Sequence, residues 1–399
     1  MQEQKSLADP PEEVKYLTRE TISWMQEQRE HFVSELEAWV AIASASNNPV
    51  GLNAMAAILC ERLRRIGMTT TVFEHPSGNA VLGEISGDNP AGTPILLLGH
   101  HDTVYSEGVS APLLSLEGET LYGPGTIDMK AGLLQAIYAI EGLLCQKKYR
   151  AFNKILFLSV PDEEVIVRNH LPLLEKVCQA KPLVLVLEGA RSPGNVVVRR
   201  KGCAYCRLRA KGIASHAGTS PEKGRSAVLE IAHQIVQFCR LNQTIEGLSI
   251  NAAPLAGGTL PNIVADHAEV TFEIRFWRWQ DYHSLVAQWQ ELMQHQLVKG
   301  VTLTLTAEEH PMPPMEASDE NRAMAEKARL ITSWLKVPYD PEDRGGSSDG
   351  GWTSTWGCPT LDGFGAVGAA AHTPNEHVLL EPVAKKTGIL AGMIAYLTM

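Results

Sequence analysis

The chain has 399 residues, which at about 150 per domain points to two or three domains, not a single core. Hydrophobic residues make up 44% and charged residues 20%, an ordinary globular composition that excludes collagen-like, disordered and repeat-array architectures. The net charge of −10 repels nucleic-acid backbones and anionic lipid, so neither nucleic acid nor membrane is expected as a partner.

Residues 1–13 are polar and acidic, without the basic start and apolar run of an export signal. The longest apolar strings, 155–160 and 183–187, fall far below the roughly 18 residues of a membrane helix. Seven scattered cysteines suit reduced thiols better than a disulfide framework, so a cytoplasmic location is expected. Cys203 and Cys206 form a C-x-x-C, but no second pair accompanies it and the segment reads as a strand.

Apolar spacing of three and four predicts helices over 14–43 and 52–66, with Gly67 stopping the second. Strand-like runs then alternate with helical ones: strands 70–73, 80–85 and 95–98, helix 130–144, strand 154–160, helix 164–177 and strand 183–187. This order predicts an α/β fold with a mostly parallel sheet, and the continuously apolar run Ile95 to Leu98 fits a strand covered on both faces. Near Val196 the texture changes to alternating strands (196–198, 203–210, 270–276, 302–306) with helices 226–241 and 281–298, an α+β unit of its own. After the proline-rich 311–314, helix 321–335, a glycine-rich loop 344–351, strand 360–364 and helix 382–397 resume the first texture. A smaller domain, 199–310, inserted into a discontinuous one, 1–198 and 311–399, explains this order most simply.

The chemistry-bearing residues gather at strand ends, where ligands bind in open α/β sheets. In Gly99-His100-His101-Asp102, side chains two apart share a face, so His100 and Asp102 point together while His101 points away. That suits either a metal-binding imidazole with its orienting carboxylate or a capped loop histidine. The loop Gly123-Pro124-Gly125-Thr126-Ile127-Asp128 lacks phosphate-loop spacing, leaving Asp128 as a metal ligand or a helix cap. Asp162-Glu163-Glu164 follows a strand, and three adjacent acids there repel one another unless a cation is near; a surface loop is the alternative. Glu188 and His372 follow strands in the same manner. Mixed histidine and carboxylate ligands at one sheet edge suit zinc or a similar divalent ion.

At this point the motifs resemble a known family, the di-zinc amidohydrolases and metallopeptidases that include carboxypeptidase G, acetylornithine deacetylase, succinyl-diaminopimelate desuccinylase and aminoacylase. The resemblance runs through Gly99 to Val104, Gly123 to Lys130, Asp162 to Glu164, Ser215-His216-Ala217-Gly218 and Ala371 to Glu376, and covers roughly 52–399. Tyr105 and Ala214 to Gly218 are most similar to the carboxypeptidase G branch. It implies two zinc ions (cobalt or manganese are the alternatives), one held by His100 and Glu188, the other by Glu164 and His372, with Asp128 bridging. Asp102 would support His100, and Glu163 would be the general base toward a water shared by the ions.

The resemblance further implies a homodimer in which the inserted domain is both lid and dimer contact. His216 would stabilise an oxyanion in the partner's site, Asn262 and Arg275 would hold the substrate's carboxylate, and Gly346 and Ser347 would line the same pocket. Two departures stand out: Val165-Ile166-Val167-Arg168 replaces the family's Gly-Ser pair after the glutamates, and Ala265 stands where a proline is expected. The expected activity is hydrolysis of an amide next to a free carboxylate on a small molecule, with N-acyl amino acid deacylation as the alternative. Gly346-Ser347-Ser348-Asp349-Gly350 also fits G-x-S-x-G, so a serine hydrolase using Ser348, Asp362 and His372 is a rival, as is a non-catalytic metal-binding protein.

Overall fold

The computed structural model describes residues 9–106, 108–165, 168–242 and 244–399. The chain divides into two compact units: one holds the described residues of Met1–Arg199, Ala317–Asp343 and Ser348–Met399, the other Arg200–Glu316 and Arg344–Ser347. The return from the insertion therefore falls after Glu316, a few residues beyond the expected 310, because Met312 and Met315 pair with Cys203 and Arg200 as bridges.

The first unit is built on a six-stranded sheet. Its spatial order is Thr69–Phe73, Ala80–Ser86, Lys154–Val160, Ile95–His100, Leu183–Val186, Thr360–Leu361. The three pairings from Lys154–Val160 onward are parallel and the two before it antiparallel. The apolar run of the central strand divides between two cores. Ile95 and Leu97 join the cluster containing helix Ala131–Glu141 and the last helix, Val383–Leu397, whereas Leu96 and Leu98 join Leu174 and Cys178 on the opposite face. Each such leucine, fully removed from water, contributes about 1.5–3 kcal/mol.

Several elements differ from expectation. The helix expected over 14–43 is two helices, Glu12–Glu27 and Arg29–Val40, broken at Gln28 (φ −88°, ψ 3°); Met25 and Phe32 are buried on either side, so the apolar spacing runs through the break. The helix expected over 164–177 is only Leu171–Cys178: Pro172 opens it, and the acidic residues before it are held in a loop by contacts described below. Strand 360–364 stops at Leu361, before Gly363 with its positive φ of 78°. Two helices are capped by short polar side chains: Asn48 Oδ1 accepts the Gly51 N–H at 3.2 Å, and Ser318 Oγ accepts that of Asn321 at 3.0 Å.

The second unit is a four-stranded antiparallel sheet ordered Ser249–Gly257, His267–Phe276, Gly202–Lys211, Thr302–Ala307, with helices Ala227–Cys239 and Trp279–Leu292. Its core stacks Phe238 on Trp289, with ring centroids 4.4 Å apart, beside Phe272. Cys203 and Cys206 lie three apart on one strand, so their side chains take opposite faces and form no metal knuckle.

Candidate active site

Three neighbouring parallel strands deliver side chains to one edge. His100 ends Ile95–His100 and pairs in register with Val160; Asp162, Glu163 and Glu164 follow Lys154–Val160; Glu188 follows Leu183–Val186. Asp128 arrives on the turn between Gly125 and Ala131. Gly125 has φ +73°, and a Cβ there would lie 2.6 Å from Thr103 Cγ2, so only glycine fits.

Glu376, fully buried, pins that turn. Its Oε1 accepts the backbone N–H groups of Ile127 at 3.0 Å and Asp128 at 3.2 Å, and its Oε2 accepts that of Gly125 at 3.2 Å and the Tyr105 hydroxyl at 2.7 Å. The sequence alone assigns Glu376 no role, although it closes the Ala371 to Glu376 motif; an acid four residues after a candidate ligand is the signal it offers.

Asp128 lies between two imidazoles. Its Oδ1 is 3.0 Å from His100 Nε2, and its Oδ2 is 3.1 Å from His372 Nε2. Glu188 Oε1 approaches His100 Nε2 at 3.7 Å, and Glu164 Oε1 approaches His372 Nε2 at 2.8 Å. Behind His100, Nδ1 faces Asp102 Oδ1 at 3.2 Å. Asp102 also sets the next loop, because its two oxygens accept the backbone N–H groups of Glu163 at 3.1 Å and Glu164 at 3.0 Å, and Ser46 donates to Oδ2 at 2.7 Å. His101 turns away into the core against Ser159 Oγ, 2.8 Å from Nδ1, and burial pushes its pKa down to about 4.

The donor set fits a cation. Donor atoms of His100, Asp128 and Glu164 all lie within 4.8 Å of one another. Burial pushes the Glu163 carboxyl up to about 8 against the pull of Arg168; burial and the neighbouring Asp128 push Glu164 up to about 7. Contacts with Asp128 and Glu164 push His372 up to about 11. Crowded buried carboxylates that hold on to protons, with imidazoles drawn between them, are what a divalent ion would relieve.

A second set of charges adjoins Glu163. Arg168 Nη1 lies 3.2 Å from Glu163 Oε1 and 2.8 Å from Asp349 Oδ1; Asp349 Oδ2 lies 2.9 Å from His170 Nε2; and His170 Nδ1 meets Asp162 Oδ1. Of the segment replacing the family's Gly-Ser pair, Ile166 and Val167 lie outside the described residues. The rival serine centre is not assembled: Ser348 donates to Asp362 Oδ2 at 2.7 Å, while His372 directs Nε2 to Glu164 and Asp128.

The remaining expected residues belong to the second unit. His216 is exposed, and its Nδ1 accepts the N–H groups of Gly218 and Thr219 at 3.1 and 3.2 Å, so the neutral ring carries its proton on Nε2. Asn262 lies alongside, its carbonyl accepting the Ala217 N–H at 2.9 Å. Arg275 pairs through Nε with Glu273 at 2.7 Å and lies 3.5 Å from Ser347 Oγ through Nη1; Arg200 Nη1 holds the carbonyls of Gly346 and Ser347, each at 3.2 Å.

Comparison with known proteins gives a family match: Peptidase family M20/M25/M40, over residues 96–396. Carboxypeptidase G2 of Pseudomonas sp. (strain RS-16) is 24% identical over 369 residues, 91% of this chain and 88% of that one. A succinyl-diaminopimelate desuccinylase of Paraburkholderia xenovorans is 25% identical over 357 residues, 84% of this chain and 92% of that one. Among solved structures, the aminopeptidase PepT of Bacillus cereus superposes with a TM-score of 0.79 at 22% identity, covering 93% of this chain and 99% of that chain.

Proposed function

The chain belongs to peptidase family M20/M25/M40 and is a metal-dependent hydrolase, and from that premise we propose that it cleaves an amide bond adjoining a free carboxylate, in the manner of a carboxypeptidase. The observation that carries this reading is Asp128 lying between His100 and His372, with Glu163 one residue from Glu164. Two divalent ions, zinc first and cobalt or manganese as alternatives, would be held by His100 and Glu188, by Glu164 and His372, and by Asp128 between them. Bound there, such ions supply Lewis acidity and bring the pKa of water down to about 7.

The chain's own groups do the rest. Asp102 orients His100 and, through two backbone N–H groups, presents Glu163. Glu163 takes a proton from the attacking water and delivers it to the departing nitrogen. From the second unit, His216 offers an Nε2 proton to the developing oxyanion in the partner subunit of a homodimer, Arg275 with Asn262 receives the substrate's carboxylate, and Gly346 and Ser347 line the same pocket. The dimer is supported by the edge strand Ser249–Gly257, whose Leu255 is 57% exposed, and by exposed Leu229 and Val236 on the neighbouring helix. Seven free cysteines support a reducing, cytoplasmic setting.

The experiment is a screen of dipeptides and N-acyl amino acids with the metal-loaded protein and its Glu163→Gln variant. Turnover of carboxylate-bearing substrates, lost by about 100-fold or more in the variant with metal retained, supports the reading. Preference for N-acyl amino acids would favour the deacylase alternative, which the desuccinylase relative supports. Metal binding without turnover of any of them would leave a binding protein.

A further inference from the structure

Four residues after the two glutamates, Arg168 enters the site from the side. Its side chain is only 13% exposed, and a single nitrogen, Nη1, touches both Glu163 Oε1 (3.2 Å) and Asp349 Oδ1 (2.8 Å). Asp349 is itself fixed at its other oxygen by His170, which in turn meets Asp162, the residue directly before Glu163. Asp162 Oδ2 accepts the Asn169 N–H at 2.5 Å. Acidic and basic side chains therefore alternate from Glu163 through Arg168, Asp349 and His170 to Asp162, and the circuit closes on the loop from which it started. The metal-ligand set contributes nothing to it.

A glutamate side chain has three rotatable bonds, and a proton shuttle works only when its oxygen is held within hydrogen-bond reach of both water and leaving group. The Asp102 contacts restrain the Glu163 backbone but not its carboxylate. We infer that Arg168 is a positioning residue for Glu163: buttressed by Asp349, it engages Oε1 and so presents Oε2 to the reacting water. The two N–H groups of a guanidinium Nη are fixed in its plane, so one nitrogen can hold two carboxylates in a set arrangement that a lysine's freely rotating ammonium holds less firmly. This inference rests on the reading of Glu163 as the base, and the test separates the two.

The test uses the metal-loaded protein with Arg168→Met, Arg168→Lys, Asp349→Asn and the double variant Arg168→Met/Asp349→Asn, beside Glu163→Gln. Each is assayed for kcat and KM on the best substrate and for zinc affinity by calorimetry. Positioning predicts that Arg168→Met lowers kcat about tenfold or more, with KM and zinc affinity within about twofold of the parent. Arg168→Lys should recover part of the loss, and the double variant should be no slower than Arg168→Met alone, since the two residues act as one support. The inference is overturned if Arg168→Met keeps the parent kcat while Glu163→Gln is inactive, if its losses follow a matching fall in zinc affinity, or if the double variant's losses add. If Arg168→Met does not fold, Arg168→Lys and Asp349→Asn decide: a kcat-only loss in both supports the inference, and parent kcat in both overturns it. An active Glu163→Gln overturns the reading of the base and this inference with it.

Discussion

The carboxylate of Glu376 accepts the backbone N–H of Asp128 at 3.2 Å across 248 residues of chain. With Ile127 and Gly125 held by the same carboxylate, the orientation of Asp128 depends on a side chain that touches no candidate ligand's donor atom. Glu376→Gln replaces one accepting oxygen with a donor that faces an N–H. Divalent-ion affinity, measured by calorimetry, should fall about 10- to 100-fold, the range found when outer supports of metal ligands are removed.

Dialysis against a chelator should abolish turnover, and zinc, cobalt or manganese should restore it. The same ions should raise the melting temperature, because an ion that binds only the folded state at 100 times its dissociation constant stabilises by about 2.7 kcal/mol. Ser348→Ala in parallel should keep turnover within about tenfold, since its hydroxyl is committed to Asp362, whereas a nucleophilic serine would be indispensable. Calorimetric or fluorescence melts and initial rates check both.

Burial opposes charge on His170, but Asp349 and Asp162 outweigh it and raise its pKa to about 9. An unfolded histidine titrates near 6.5. The protonated ring therefore stabilises the fold fully below about pH 6.5, and that contribution is lost as pH rises toward 9. Melting temperatures of the parent and of His170→Gln, compared in the metal-free protein, should differ most at pH 6 and converge by pH 9. A constant difference across that range would contradict the assignment.

Arg275 is half-buried and Nη1 points to Ser347 Oγ. If its guanidinium receives the substrate's carboxylate, Arg275→Ala removes a charge-assisted contact of about 1.5–3 kcal/mol. KM for carboxylate substrates should rise about 10- to 100-fold, while substrates amidated at that position should lose little. Steady-state kinetics on such a pair checks this.

Much of the first unit was legible because its signals are local. Ile95 to Leu98 is apolar without alternation since both faces are covered, and the acids and histidines stand where their strands stop. Less was legible where a segment's conformation comes from distant partners. The sequence from Glu164 onward has helical spacing, yet Asp102 captures the N–H groups of Glu163 and Glu164, and the helix opens only at Leu171, with Pro172 in its first turn. Strand Ser249–Gly257 contains Pro254 and is largely exposed on both faces, so it shows no alternation. The strands Gly368–Ala369 and His377–Leu379 are too short to carry a period. Glu376 and Arg168 escaped assignment because their partners lie far along the chain or in a loop with no regular pattern.

The residues gathered around Asp128 hang in large part from three adjacent interior strands, each hydrogen-bonded on both sides. Interior strands are the last portion of a unit to fray. The strand-borne ligands therefore form no weak wall: as the protein is warmed or exposed to denaturant, their share of the ion-holding capacity should persist until the whole unit gives way, so that early loss would come from the turn of Asp128 and the loop of His372.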